Sequence, residues 1–483
     1  MRILLATRHA NTLYTPLALL YLKASLVSNG VVDADAVTIA EFDRDADAQA
    51  IADALIAAAP DVIGLSCYVW NIGVLQDAAR LVRAALPAAR IVMGGPEVGP
   101  VADAVLERNP HVDAVVRSEG EVPVCDLVRC WRDGGAMADV AGLTWRDGAR
   151  VVRNADAPIV RDLNRVASPH LANYVDHTGR TVCIETQRGC VFTCSFCFYN
   201  KDYSIRNRRF DLDRVKDELR FWLAQDVHEI YLMDPVFNLN AARAKEICRF
   251  IAEHNHRRIP FHTEVWAEFI DDEMASLFAE ANFRFIEVGL QTSNYAVLEI
   301  VERRFKRQEF INGLGHLKAH GLLYELQLIA GLPGETLDTL RASLDFAASF
   351  LPPDLSVFTL MILPGTELSR KAESLGIAYD PEPPYHIRSH PSMPAADIAR
   401  ARDIAEAART LWQFQTMRLL ARATGGSYAE LVEDWMMWQD GISTYEQARA
   451  LLPAFVHRWA DRRPVDGRFF TASAAAESRL ESA

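Results

Sequence analysis

Residues 188–200 read Arg-Gly-Cys-Val-Phe-Thr-Cys-Ser-Phe-Cys-Phe-Tyr-Asn. Cys190, Cys194 and Cys197 make a C-x-x-x-C-x-x-C triplet. Three thiolates on one tight loop can hold three corners of a cubane 4Fe–4S cluster and leave the fourth iron open. A cluster that only carries electrons normally has four cysteine ligands. An open iron binds a substrate or cosubstrate, so the triplet points to chemistry as well as redox. Cys67, Cys125, Cys130, Cys183 and Cys248 are scattered through apolar or helical stretches and read as packing. A zinc site needs a fourth ligand, and no C-x-x-C partner pair occurs elsewhere.

The triplet follows a strand candidate at 182–186. Further candidates at 229–233, 261–264, 285–289, 325–330 and 357–361 alternate with helical stretches. Six βα repeats suit a partial (β/α) barrel, with the cluster loop at the end where such barrels build active sites. Upstream, strand candidates at 3–6, 36–39, 62–66, 90–93 and 114–116 alternate with helix candidates at 17–28, 47–58, 74–86, 101–108 and 122–131. That pattern predicts an α/β, doubly wound (Rossmann-like) parallel sheet. Its ligand loops, beyond the carboxyl ends of the strands, are 7–16, 67–71, 94–99 and 118–121.

A hairpin is expected at 142–152, around Asp147-Gly148. The units are then 1–138, a hairpin and linker at 139–175, the barrel at 176–375 and a mostly helical region at 376–483. In that last region Trp412, Phe414, Trp435, Met436, Met437 and Trp438 read as a core face, the alternative being a cover over the barrel mouth. Residues 471–483 are small and polar and are expected to be disordered.

Half of the 483 residues are hydrophobic, enough for sizeable cores. The net charge of −13, with no long Lys/Arg-rich run, argues against nucleic acid as a partner. No apolar run reaches the roughly 20 residues of a membrane span. Met1-Arg2-Ile3-Leu4-Leu5-Ala6 enters a strand at once and does not resemble a signal peptide. Unpaired thiols and an oxygen-sensitive cluster fit a reducing compartment, so the cytoplasm is expected.

C-x-x-x-C-x-aromatic-C after a strand, with Phe196 as the aromatic, resembles the signature of radical S-adenosylmethionine (SAM) enzymes. The resemblance implies that the amine and carboxylate of SAM chelate the open iron. An electron from the cluster then cleaves the sulfonium to methionine and a 5′-deoxyadenosyl radical. It also implies SAM contacts at successive strand ends. Asp234, in Asp234-Pro235, stands where the family often has Gly-Gly-Glu; it either grips the amine or caps the next helix. Glu264 is similar to the family's ribose contact, and Gln291 lies in the familiar run 287–292. Of Arg303 and Arg304, one forks onto the SAM carboxylate, or both end a helix in solvent. Leu332 lies in a glycine-rich run where backbone approaches an adenine, or which merely turns the chain. Phe198 and Tyr199 would border the adenine.

A doubly wound domain before such a barrel resembles the cobalamin (B12)-binding class of that family. Gly94-Gly95-Pro96-Glu97 and Glu119-Gly120-Glu121 carry the resemblance. A corrin threading a crevice needs loops of glycine and small polar residues. The implied cobalamin contacts are Tyr14, Thr15, Ser66, Tyr68, Val69, Trp70, Gly94, Gly95, Pro96, Glu97, Glu119 and Gly120. Where many such domains carry Asp-x-His-x-x-Gly, this chain has Thr7-Arg8-His9-Ala10-Asn11-Thr12. His9 lacks the motif's carboxylate partner and its glycine, so base-off, histidine-off cobalamin is expected. One of Tyr68, Val69 and Trp70 then covers the lower face of cobalt, unless Trp70 packs between domains.

The resemblance implies a cobalamin-dependent radical SAM enzyme, with methyl transfer to an unactivated carbon of a small molecule or peptide as its expected reaction. One SAM would methylate cobalamin, a second would supply the radical, and flavodoxin or ferredoxin would donate electrons. Rearrangement, ring contraction or cyclisation without methyl transfer is the first alternative. A cobalamin-binding sensor with a non-catalytic barrel is another. A methylthiotransferase would need a second cysteine set and a basic tail, which the sequence does not offer.

Overall fold

Strands that read as unbroken apolar runs are buried on both faces, and the first third of the chain is built of them. In the computed structural model, which describes residues 1–172, 174–200, 207–423, 427–439, 444–460, 470 and 473–474, β1 (Ile3–Arg8), β2 (Val37–Phe42), β3 (Val62–Ser66), β4 (Arg90–Gly94) and β5 (Ala114–Val116) run parallel. Helices α1 (Leu17–Ser28) and α5 (Glu121–Asp133) cover one face. The other is covered by α2 (Ala48–Ala58), α3 (Ile72–Ala85) and α4 (Ala102–Arg108). The strand order β2-β1-β3-β4-β5 reverses at β1 and β3. The expected hairpin forms as β6 (Leu143–Asp147) and β7 (Arg150–Arg153). It adds antiparallel to β5 and extends the N-terminal sheet to Arg153.

The cluster loop leaves β8 (Thr181–Ile184), and a short antiparallel pair, β9 (Gln187–Arg188) with β10 (Arg208–Arg209), closes its base. After α6 (Leu212–Leu223) come β11 (Glu229–Leu232), α7 (Ala241–His254), β12 (Phe261–Val265), α8 (Asp272–Glu280) and β13 (Phe283–Gln291). Helices α9 (Tyr295–Ile300) and α10 (Arg307–Ala319), β14 (Tyr324–Ala330), α11 (Leu337–Ser349) and β15 (Asp354–Thr359) complete the series. All pairings are parallel in the order β15-β14-β13-β12-β11-β8, and the sheet stays open, a partial barrel. Its helices start where polar caps are available. Asn240, Asp271 and Thr336 each accept a backbone N–H of the first turn.

Helix α12 (Glu367–Lys371) leads to a second hairpin, β16 (Ala378–Tyr379) with β17 (Ile387–Ser389), and to α13 (Ala395–Trp412), α14 (Gln415–Ala423), α15 (Tyr428–Gln439) and α16 (Tyr445–Ala460). These helices do not roof the barrel mouth. Helix α13 packs along β15 and α15 along α11, at the barrel's open edge. Trp412, Phe414, Trp435 and Met436 are buried in one continuous core with the barrel, and Trp438 packs on its margin. Met437 is the exception to the expected face, 67% exposed. Glu433 of α15 pairs with Arg341 of α11 at 2.9 Å and with Arg400 of α13 at 3.3 Å. The expectation for 471–483 falls outside the described residues, apart from 473 and 474.

Candidate active site

The strand leading to the triplet ends on a buried brace. Asp234, fully buried after β11, accepts the backbone N–H groups of Thr186 and Gln187 at 2.7 and 3.1 Å, and the Thr186 hydroxyl. Burial pushes its carboxyl up to about 7. Asp234 does not cap the next helix, which Asn240 does; its oxygens hold the cluster-loop strand. Gly189 turns the chain at φ 85°, a region that favours glycine. The loop is then held by Ser195 N–H donating to Val301 at 2.9 Å and Leu368 N–H donating to Ser195 at 2.8 Å.

Cys190, Cys194 and Cys197 come together on the wall of one cavity at the carboxyl end of the barrel. Burial pushes the Cys197 thiol up to about 12 and raises Cys190 as well. Such thiols stay protonated unless a cationic centre takes the sulfurs. Among the described residues no three His, Cys, Asp or Glu side chains converge on a single ion. Three cysteines on one cavity wall are the donor set of a cubane with one iron left open. Arg303 donates to Cys194 Sγ at 3.8 Å and to the Gly289 carbonyl, and lies 4.3 Å over the Trp266 ring. Arg303 therefore faces the cavity, while Arg304 is exposed.

Of the other expected SAM contacts, Phe196, Tyr199, Glu264 and Gln291 also line the cavity. Gln291 sits at φ 69°, beside a register shift between β13 and β14. Leu332 does not reach the cavity: its side chain is fully buried in the barrel core. Phe198 is not on the wall either; a Cβ built on Gly365 would meet its ring at 3.3 Å. Sequence reasoning missed Trp266, Glu287 and Gln327 as wall residues. The signal for Glu287 was available, since residues 287, 289 and 291 share one face of β13 by the two-residue period.

Inside the barrel the polar groups form a chain. Tyr231 donates to Glu264 at 2.8 Å, and burial, then Glu287 beside it, pushes Glu264 up to about 7. His262 Nε2 lies 2.8 Å from Glu287, and Gln327 donates to both Glu287 and Glu325 at 2.7 Å. The chain fixes the Glu264 and Glu287 carboxylates as acceptors at the cavity wall, which suits ribose hydroxyls or an ammonium.

The loops at the carboxyl ends of the N-terminal strands face the barrel. Gly95 lies at φ 111°, and a Cβ there would come within 2.5 Å of the Cys67 carbonyl, so the loop 94–97 can approach the neighbouring strand only with glycine. Gly94 accepts Cys67 N–H at 2.8 Å, and Ser66 accepts from Asn71 at 3.1 Å. Tyr68 stacks on Trp70 at 4.5 Å, Val69 between them is half-buried, and Trp70 is 48% exposed, so Trp70 is not interface packing. Gly120 leaves 3.0 Å between a Cβ and Leu22. Gly95 and Gly120 are thus required by contacts within the domain, and Trp70 leaves an uncovered ring at the same sheet edge.

Other expected cobalamin contacts hold the two domains together. Leu13 and Thr15 pair through their backbones with Thr181 at 2.9 and 3.0 Å, and Thr15 Oγ1 accepts Cys183 N–H at 3.2 Å. Tyr14 sits edge-on to Tyr231 at 6.2 Å. Glu119 pairs with Arg208, and Arg188 reaches Glu121 at 2.7 Å and Glu185 at 2.8 Å. Glu97 is buried and accepts the Tyr385 hydroxyl. His9 is not without a partner, as the motif had implied: it lies 2.7 Å from Glu41, which also takes Arg180.

Residues 3–128 match the B12 binding domain, and residues 184–347 match the Radical SAM superfamily. The cobalamin-dependent radical SAM methyltransferase TokK of Streptomyces tokunonensis is 29% identical over 70% of this chain and 52% of its own length. The anaerobic magnesium-protoporphyrin IX monomethyl ester cyclase of Rubrivivax gelatinosus is 26% identical over 70% of this chain and 63% of its own. This chain thus spans about half to two thirds of those relatives. The structure of the radical S-adenosylmethionine methyltransferase TsrM from Kitasatospora setae superposes with a TM-score of 0.66, at 20% identity, over 83% of this chain and 82% of that one. The likeness shows the shared fold.

Proposed function

We propose that this chain, which joins a B12-binding domain to a radical SAM domain, is a cobalamin-dependent radical SAM C-methyltransferase. The observation that carries the reading is the cysteine triplet on the wall of a cavity at the barrel end faced by the glycine loops of the N-terminal sheet. When bound, the cluster and SAM supply a carbon radical and cobalamin supplies a transferable methyl. The chain's own residues bind and orient. Cys190, Cys194 and Cys197 hold three irons. Arg303, Glu264 and Gln291 offer a cation and two acceptors to a zwitterionic, ribose-bearing ligand. Phe196, Trp266 and Tyr199 line the cavity with aromatic rings. Gly94, Gly95, Pro96 and Gly120 would let a corrin approach, and the exposed ring of Trp70 would cover its lower face. Cobalamin would be held base-off and without a histidine ligand, since residues 7–12 lack the Asp-x-His-x-x-Gly motif.

The substrate is a small molecule or peptide, the electron donor a flavodoxin or ferredoxin, and the compartment the reducing cytoplasm, in keeping with eight free cysteines. No helix among the described residues is long and apolar enough to cross a membrane. The test is anaerobic turnover with methyl-deuterated SAM and candidate substrates. A product heavier by one deuterated methyl in place of hydrogen supports the reading. A product with no added carbon would transfer it to ring closure, the reaction named for the cyclase relatives.

A further inference from the structure

The second hairpin reaches back across the molecule. Its turn is stitched to the end of β15: Ile362 N–H donates to Tyr385 at 2.9 Å, and Ile387 N–H to Leu360 at 3.1 Å. Tyr385 lies at φ 58°, a conformation that costs a non-glycine residue energy and persists where its surroundings impose it. That conformation aims the phenol at Glu97, 288 residues away in sequence. Glu97 closes the Gly94-Gly95-Pro96-Glu97 loop and is only 5% exposed. The stretches flanking these two residues also touch, since a Cβ on Gly365, after β15, would meet Pro100 at 2.6 Å. A buried carboxyl without a partner is costly, so the phenol decides whether this loop can hold its shape.

We propose that Tyr385 is a positioning residue for the cobalamin site, holding Glu97 and through it the 94–97 loop in the form that admits the corrin. The C-terminal region is then part of that site and not an appendage. The inference rests on the cobalamin reading. Its test is titration of the full-length chain with hydroxocobalamin, followed by the visible spectrum, alongside chemical unfolding. Y385F is expected to weaken cobalamin binding about tenfold. E97Q keeps an acceptor for the phenol and is expected to bind more tightly than Y385F. Y385F/E97L leaves no carboxyl unpaired, so its stability recovers while its affinity stays about tenfold low. Affinity of either Tyr385 variant within about twofold of the parent would overturn the proposal. A parent chain that binds no hydroxocobalamin would instead overturn the cobalamin reading itself.

Discussion

The barrel and the N-terminal sheet are built from the same βα repeat, yet they use their strand ends differently. The barrel's strands curve round a cavity, so Cys190, Glu264, Gln291 and Arg303, far apart in sequence, share one wall. The N-terminal sheet cannot enclose anything by itself. Its loops need a second body opposite them, and part of their polar equipment binds that body: Thr15 to β8, Glu119 to Arg208, Glu97 to Tyr385. In the barrel, then, polar residues such as Glu264 and Gln291 at strand ends face the cavity, while Asp234 braces the neighbouring strand. In the sheet, such a residue faces either a ligand or the other domain.

The largest effect expected from this contrast comes from the triplet. Alanine at Cys190, Cys194 or Cys197 removes a ligand of the cluster and leaves the N-terminal loops untouched. Iron content should fall and 5′-deoxyadenosine formation should drop by about a thousandfold or more, while cobalamin still binds. Loss of both cofactors together would break the contrast.

Next is the charged seam. Arg188 is 8% exposed and carries Glu121 and Glu185. Arg188→Met leaves those carboxylates unpaired and should cost about 3 to 5 kcal/mol in denaturant unfolding. A loss below about 1 kcal/mol would show a solvent-screened pair and no structural seam.

Arg303 sharpens the barrel side. Arg303→Lys keeps the charge but loses the fork that reaches Cys194 and Gly289. SAM affinity, read by equilibrium binding to the reconstituted protein, should fall about tenfold to a hundredfold. Unchanged affinity would return Arg303 to the role of a structural brace.

Trp70 should give the smallest change in stability. Trp70→Ala removes an exposed ring, so unfolding should shift by less than about 0.5 kcal/mol. Cobalamin affinity should nevertheless drop. The reverse outcome, a stability loss with unaltered affinity, would make Trp70 a packing residue.

The same contrast explains what the sequence made legible. Unbroken apolar runs placed the parallel strands of both sheets and the helices of the first. Spacing on one loop located Cys190, Cys194 and Cys197, and the family resemblance pointed to Glu264, Gln291 and Arg303, which line the cavity. The brace made by Asp234 and the buried side chain of Leu332 were not legible, because a strand-end position does not say whether a side chain points to the cavity or into the core. The pairing of Glu97 with Tyr385 was not legible, since no local pattern joins residues 288 apart. The hairpin at β6 and β7 was recognised, but its docking on β5 depends on tertiary contact.

The most direct test of the account is one measurement on the anaerobically reconstituted chain: cofactor content and SAM cleavage in the same sample. The account predicts a cluster and a cobalamin on each chain, with SAM cleaved to methionine and 5′-deoxyadenosine on one-electron reduction. Both cofactors bound without any SAM cleavage would contradict it and leave a cobalamin sensor with a silent barrel.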